Sequence, residues 1–389
     1  MSASDAAIAP VVFAERETRA GLRIGVATLN APRTLNGLSL DMARRLDARL
    51  RAWAVDAGIA LVLLEGAGEK AFCAGGDLQA LYRSMRECRE RGSTGILDNA
   101  YAADFFATEY RLDHRIHTYP KPILCRGHGI VMGGGIGLMA GASHRVVDER
   151  SKLAFPEITV GLYPDVGGSR LLGRVPHRAG LFVALTGAPL DAGDAIHAGL
   201  ADRFVPQAAT ASMLADLPEA PWTGDAEADR RVLDSLLARH AAAPRPGPLQ
   251  RHRDAIEAAC AHAALEDVVA AIGVLDASDP WVAAAQRTLA AGSPGSARLG
   301  HLLQGRAAAL SLADTFRLEY VASLHCCAHG DFEEGIRALL IDKDRAPRWQ
   351  PATLAEADAA WAETFLVAPA WPDGAHPLAD LGTTTETST

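Results

Sequence analysis

The sequence predicts an α/β protein with a strand-bearing first half and a helical second half. Short apolar runs of strand type recur between Leu22 and Phe155, separated by glycine turns and helical stretches. Beyond Pro206 such runs largely vanish, and alanine-rich segments with helical spacing dominate from about Glu227 to Leu340. Proline and glycine clusters at Pro244–Pro248 and Gly292–Gly295 cut that half into separate helices.

From Leu22 the run L-R-I-G-V-A-T-L alternates as a strand, and Asn30–Asn36 follows as a turn; Ser39 then caps a helix through about Ala54. Ile59–Leu64 is a buried-strand run. After a loop at Gly75-Gly76, Leu78–Glu90 and Ala102–Thr118 are helical, the second broken by Tyr119-Pro-Lys-Pro122. Ile123–Cys125 is the next strand, the glycines from Gly133 open a helix ending near Gly141, and His144–Asp148 and Leu153–Phe155 return as strands. This rhythm fits a spiral core in which each turn buries its apolar face on the next. The expected division is an N-terminal extension (1–21), a spiral core (22–206), a helical region serving as lid or oligomer contact (207–345) and a tail (346–389). From Ala368 the tail is rich in proline and glycine and closes on T-T-T-E-T-S-T, a composition expected to stay loose, with a flexible end.

A hydrophobic content of 49% over 389 residues suits a packed enzyme. Net charge −9 and a pI near 5.8 leave no basic surface for nucleic acid or an anionic membrane. The six cysteines form no CxxC pair and indicate reduced thiols. No apolar run reaches membrane-spanning length, the first residues lack a signal-peptide pattern, and early acids at Asp5, Glu15 and Glu17 weaken a transit peptide; a cytoplasmic location is expected. His325-Cys-Cys-Ala-His329 lacks zinc spacing, and no dinucleotide or phosphate-loop fingerprint occurs, so neither metal nor cofactor is expected.

Three segments carry candidate chemistry. The stretch F-P-E-I-T-V-G-L-Y-P-D-V-G-G sets Glu157 and Asp165 on either side of a Gly161/Pro164 turn. The turn either brings both carboxylates into one pocket or leaves two solvated acids on a surface loop. Lys70-Ala-Phe-Cys-Ala-Gly-Gly-Asp77 and His128-Gly-Ile-Val-Met-Gly-Gly-Gly-Ile-Gly-Leu138 each put adjacent glycines where an apolar run gives way to a helix. Bare N–H groups there can form an oxyanion hole, or the glycines simply relieve tight turns. Asp77 is expected to cap the following helix, His128 to pack or hydrogen-bond, and Cys73 to fill space.

The order of these motifs resembles the crotonase (enoyl-CoA hydratase/isomerase) superfamily, and more narrowly its 3-hydroxyisobutyryl-CoA hydrolase branch. The likeness runs from about Leu22 to Gly187 and resumes at D-F-E-E-G-I-R-A-L-L-I-D-K-D-R-A-P-R-W, Asp331–Trp349. It implies a crotonase-like ββα spiral core, with Gly76 and Gly134 as oxyanion-hole amides and Glu157 as acid/base or nucleophile. Hydratases carry a second glutamate where this chain has Gly137, and they usually have glycine where it has Asp165, the hydrolase-branch residue. The implied activity is cofactor-free hydrolysis of a short β-hydroxyacyl-CoA, with CoA as part of the substrate. The alternatives are an enoyl-CoA hydratase or isomerase, or a non-catalytic acyl-CoA-binding protein. Arg33, Lys70 and Lys121 lie near the loops that would surround CoA and either pair with its phosphates or are solvated. Related cores form trimers or pairs of trimers, so a homo-oligomer is expected.

Overall fold

The structure, a computed structural model, describes residues 9–383. The chain forms two compact units: residues up to 77, 115–154 and 189–252 make one, and residues 78–114, 155–188 and those from 253 onward make the other.

All nine strands among the described residues lie in the first unit: β1 (Val11–Glu17), β2 (Arg23–Leu29), β3 (Ile59–Gly66), β4 (Ala71–Cys73), β5 (Ile123–Arg126), β6 (Ile130–Met132), β7 (His144–Val147), β8 (Lys152–Ala154) and β9 (Arg203–Phe204). They form a six-stranded sheet ordered β1-β2-β3-β5-β7-β9 and a three-stranded sheet ordered β4-β6-β8. From β3 to β8 successive strands alternate between the two sheets, which is the structural form of the expected rhythm. Pairing is parallel throughout except for β1 with β2. Those two are close enough in sequence for a tight turn, closed where the Thr18 hydroxyl donates to the Leu22 carbonyl and accepts from its amide. The short strands β4, β6 and β9 are absent from the sequence-based expectation, and so is β1. Beyond Val11 most of its residues are exposed, so V-V-F-A-E-R-E gives no buried alternation to find.

One face of the six-stranded sheet (Ile24, Val26, Leu61, Leu63, Leu124, Val146) buries against Met213, Leu217, Leu233, Leu236 and Leu237 of the helices Gln207–Asp216 and Ala226–His240. Helix α1 (Leu40–Val55) starts at Ser39, whose side chain accepts from the Met42 amide, and buries Leu46, Leu50 and Trp53. Gly25 on β2 is required by that packing: a Cβ there would stand 2.8 Å from the Trp53 ring.

The second unit holds no strand among the described residues. It contains α2 (Leu78–Glu90) and α3 (Ala100–His117) as far as His114, then the loop after Phe155, then the helices from Arg253 onward. The stretch from Ala368, expected from composition to stay loose, instead packs. Leu378 is fully buried, Arg317 donates to the carbonyls of Leu378, Ala379 and Leu381, and Arg111 pairs with Asp380. Two arginines binding main-chain and carboxylate oxygens supply what the composition lacks. The closing residues 384–389, expected to be flexible, lie outside the described residues.

Candidate active site

The two candidate oxyanion glycines both belong to the first unit. Gly76 lies opposite Leu38 in a short parallel bridge, in which Leu38 donates to the Gly75 carbonyl (2.8 Å) and Asp77 donates to the Leu38 carbonyl (3.0 Å). The Gly76 amide takes no part in that bridge. Gly134 opens α4 (Gly134–Ala140), where the first amides precede any intrahelical partner. Gly133 before it has φ +48°, and a Cβ on Gly135 would sit 2.2 Å from the Cys73 carbonyl oxygen. The two glycine segments therefore approach backbone to backbone, which residues with side chains would prevent. Cys73 is buried here, and His128 bonds through Nε2 to the Gly68 carbonyl (2.9 Å).

Both candidate carboxylates belong to the second unit and are buried, Glu157 at 5% and Asp165 at 4% exposure, which removes the solvated-turn alternative. Glu157 begins a 3-10 turn, Glu157–Thr159; its Oε2 has no hydrogen-bond partner among the described residues. Burial pushes its pKa well above the usual carboxylate range, with the nearby charges of Asp165 and Glu109 adding to the effect. Asp165 is pushed up to about 6, mainly by burial, against the opposing hydrogen bond from the Tyr110 hydroxyl, 2.7 Å from Oδ2. The pair interacts electrostatically, so its two titrations belong to the pair.

The loop holding these acids is strained and braced. Val166 (φ +53°) and Gly167 (φ +80°) are successive left-handed residues, in a turn closed by the Gly168 amide on the Asp165 carbonyl (2.6 Å). A β-branched residue in that region costs on the order of 1–3 kcal/mol and persists only where its surroundings impose it. Glu319 imposes it, its carboxylate accepting from the amides of Gly167 (2.7 Å) and Ser169 (3.1 Å). At the other end a Cβ on Gly161 (φ +76°) would meet the Asp331 main chain at 2.4 Å, and one on Gly335 would meet Val160 at 2.3 Å. The D-F-E-E-G-I block is therefore the backbone support of the carboxylate loop.

Of the three basic candidates, Arg33 and Lys70 are exposed in the first unit. Lys121 is engaged elsewhere, its ammonium donating to the carbonyls of Trp53 (2.9 Å) and Asp56 at the end of α1. There it completes helix-end acceptors instead of standing free for a phosphate.

A profile of the enoyl-CoA hydratase/isomerase family matches residues 24–366. The chain belongs to that family. Among its relatives, the protein named mitochondrial 3-hydroxyisobutyryl-CoA hydrolase in Danio rerio is 38% identical over 336 residues, 86% of this chain and 84% of that protein. The human protein of the same name is 34% identical over 338 residues, 85% and 83%. Two solved structures share the fold over nearly the whole chain. One, described as a carnitinyl-CoA dehydratase from Mycobacterium thermoresistibile, is 37% identical with a TM-score of 0.81, covering 94% of this chain and 98% of that one. The other, described as an enoyl-CoA hydratase from Rhodobacter sphaeroides 2.4.1, is 35% identical with a TM-score of 0.79, covering 92% and 97%.

Sequence reasoning misses four further groups around the acids of this crotonase fold. Glu109 and Asp113 on α3 and Glu319 on the helix Leu312–His329 are buried acids, and Tyr110 is a fully buried hydroxyl. Burial pushes Glu109 and Asp113 well above their ordinary values, and Glu319 to about 8. A local signal exists for part of this: Glu109 and Asp113 lie four apart, on one face of a helix that also buries Phe105, Phe106 and Leu112. Charges on such a face seldom stay buried without a reason.

Proposed function

We propose that this protein hydrolyses a short β-hydroxyacyl-CoA thioester, 3-hydroxyisobutyryl-CoA, to the free acid and CoA. The observation that carries this is the buried Glu157–Asp165 pair on one braced loop, in a chain whose α4 offers no side chain at Gly137. Addition of water across a double bond by two glutamates has no second glutamate here, whereas thioester cleavage needs only one carboxylate that attacks or activates water, and a stabilised oxyanion. The relatives named 3-hydroxyisobutyryl-CoA hydrolase, 34–38% identical over most of both chains, support the same choice.

In this mechanism the Gly76 and Gly134 amides donate hydrogen bonds to the thioester oxygen as negative charge develops on it. Glu157, with Oε2 unengaged, acts at the carbonyl carbon, either directly to give a mixed anhydride or as base on a water. Asp165 contacts the β-hydroxyl or orients the water. Arg33 and Lys70 are the side chains proposed for the CoA phosphates. No metal or redox cofactor takes part in the proposed chemistry, and a trimer or hexamer is the proposed assembly. No helix among the described residues is long and apolar enough to cross a membrane. The six cysteines form no disulfide among the described residues, which suits a reducing compartment. We assign the protein to the cytoplasm and its route to valine breakdown, whereas the vertebrate relatives are named mitochondrial.

The test incubates 3-hydroxyisobutyryl-CoA and crotonyl-CoA separately, following free thiol and enoyl absorbance. Thiol release from the first with stable enoyl absorbance in the second is expected. Loss of enoyl absorbance without thiol would make the protein a hydratase, and silence in both would make it a binding protein.

A further inference from the structure

Asp165 ends a buried chain of hydroxyls. Tyr110 Oη lies 2.7 Å from Asp165 Oδ2 and 2.8 Å from Ser323 Oγ, Ser323 Oγ lies 2.8 Å from Tyr163 Oη, and Tyr163 Oη lies 2.6 Å from the Glu319 carbonyl oxygen. Tyr110, Tyr163 and Ser323 are fully buried and come from α3, the carboxylate loop and the helix Leu312–His329. There are four contacts and only three hydroxyl hydrogens to fill them. With Asp165 ionised, Tyr110 donates to the carboxylate, and Tyr163 donates to a carbonyl that can only accept. Ser323 then has one hydrogen for two contacts, leaving one oxygen facing another. A proton on Asp165 Oδ2 supplies the fourth hydrogen. Asp165 then donates to Tyr110, Tyr110 to Ser323, Ser323 to Tyr163, and Tyr163 to the Glu319 carbonyl, with no heavy atom displaced.

We propose that the Tyr110–Ser323–Tyr163 chain is a hydroxyl relay that lets Asp165 take up and release one proton in place, with Tyr110 and Ser323 as its positioning residues. In hydrolysis through the mixed anhydride, Asp165 gives its proton to the CoA sulfur as the C–S bond breaks and regains one from the water that then forms the new C–O bond. That catalytic use rests on the hydrolase reading, but the relay itself does not. The ionisable groups around Asp165 are Glu109, Tyr110 and Asp113 on α3, Glu157 and Tyr163 on its own loop, and Glu319, Cys326 and Cys327 on the helix Leu312–His329. The carboxyls among them, when ionised, oppose a charge on Asp165, whereas the Tyr110 hydroxyl, donating to Oδ2, favours it.

Infrared difference spectra against pH, with the Asp165 carboxyl band assigned by its loss in Asp165→Asn, read its protonation without substrate. Tyr110→Phe removes the donor to the ionised carboxylate, so the midpoint is expected to rise by about one pH unit. Ser323→Ala removes the acceptor that Tyr110 needs when Asp165 is protonated, so the midpoint is expected to fall. Circular dichroism checks that both variants fold; if Ser323→Ala does not, Ser323→Cys, whose thiol is a poor partner, takes its place with the same expected direction. Movement in opposite directions supports the relay. Movement of both in one direction, as lost packing would give, or no movement in the serine variant, overturns it. The pH profile of kcat for 3-hydroxyisobutyryl-CoA is expected to move with each midpoint. A profile that stays fixed while the midpoints move overturns the catalytic use, and the absence of any thioester cleavage with the midpoints moving overturns only the hydrolase reading.

Discussion

Glu157 carries two features that rarely occur together at a carboxylate, burial and an oxygen without a partner. A group left in that state is costly to the fold and useful to a reaction, because it meets its partner only when substrate arrives. Glu157→Gln keeps the shape and removes the ionisable carboxyl, so kcat for 3-hydroxyisobutyryl-CoA is expected to fall by about 10²–10⁴-fold while CoA affinity by calorimetry stays unchanged. Near-normal turnover would remove Glu157 from the chemistry. Asp165 bears on specificity. If it contacts the β-hydroxyl, wild type is expected to prefer 3-hydroxyisobutyryl-CoA to isobutyryl-CoA by about 5–100-fold in kcat/KM, since a buried polar group left unpaired costs about 1–3 kcal/mol. Equal values for the two substrates would leave Asp165 without that contact.

At the scale of the element, the carboxylate loop is a strained segment held in shape by what packs on it. Two left-handed residues follow Asp165, and the Glu319 carboxylate ties down the amides on their far side. Gly161 has no space for a side chain, since an added Cβ would overlap the Asp331 backbone, which cannot swing aside as a side-chain tip can. Gly161→Ala is therefore expected to lower Tm and cut kcat by at least about tenfold, because a displacement of an ångström at a reacting group has that order of effect. The control is Gly305, inside the helix Pro294–Ala307, with nothing within 4 Å of an added Cβ. Gly305→Ala is expected to stabilise by about 0.5–1 kcal/mol in denaturant unfolding. If both alanines behaved alike, the clash at Gly161 would not be what holds the loop.

At the scale of the whole molecule, the buried acids set the dependence of stability on pH. Folding raises Asp165 from 3.8 to about 6 and Glu319 from 4.5 to about 8, and it raises Glu109, Asp113 and Glu157 well above their ordinary values. Each binds its proton more tightly when folded, so the native state carries more protons than the unfolded chain and stability falls as pH rises. The stabilisation from protonation is complete below the unfolded values, near about pH 4, and is lost as pH climbs through the folded values. Tm is expected to decline between pH 5 and 8.5, as scanning calorimetry would show. Asp113 is the sharpest probe, because it is fully buried with neither carboxylate oxygen bonded among the described residues. Asp113→Asn is expected to approach wild type only below the unfolded value of 3.8 and to unfold at higher temperature at pH 8. An asparagine variant no more stable at pH 8 would mean that Asp113 carries no such cost. EDTA is expected to leave thioester cleavage unchanged, and a loss restored by one metal would contradict the cofactor-free mechanism.

The sequence by itself determined strands β2, β3, β5, β7 and β8, the two glycine segments, and Glu157 and Asp165 as the acids to watch. These follow from local rules: strands alternate with period two, glycine marks close backbone approach, and proline and glycine fix a turn within a few residues. The family's match to residues 24–366 of this chain rests on the same local record. Only the tertiary structure decided which polar side chains end buried beside those acids. Tyr110 and Ser323 are 213 residues apart, and Gly167 is 152 residues from the Glu319 carboxylate that holds it. No periodicity or spacing marks such pairs, because a hydroxyl or carboxylate reads the same in sequence whether it faces water or a partner. Burial removes the water, and the hydrogen bonds that remain then fix which state each acid occupies.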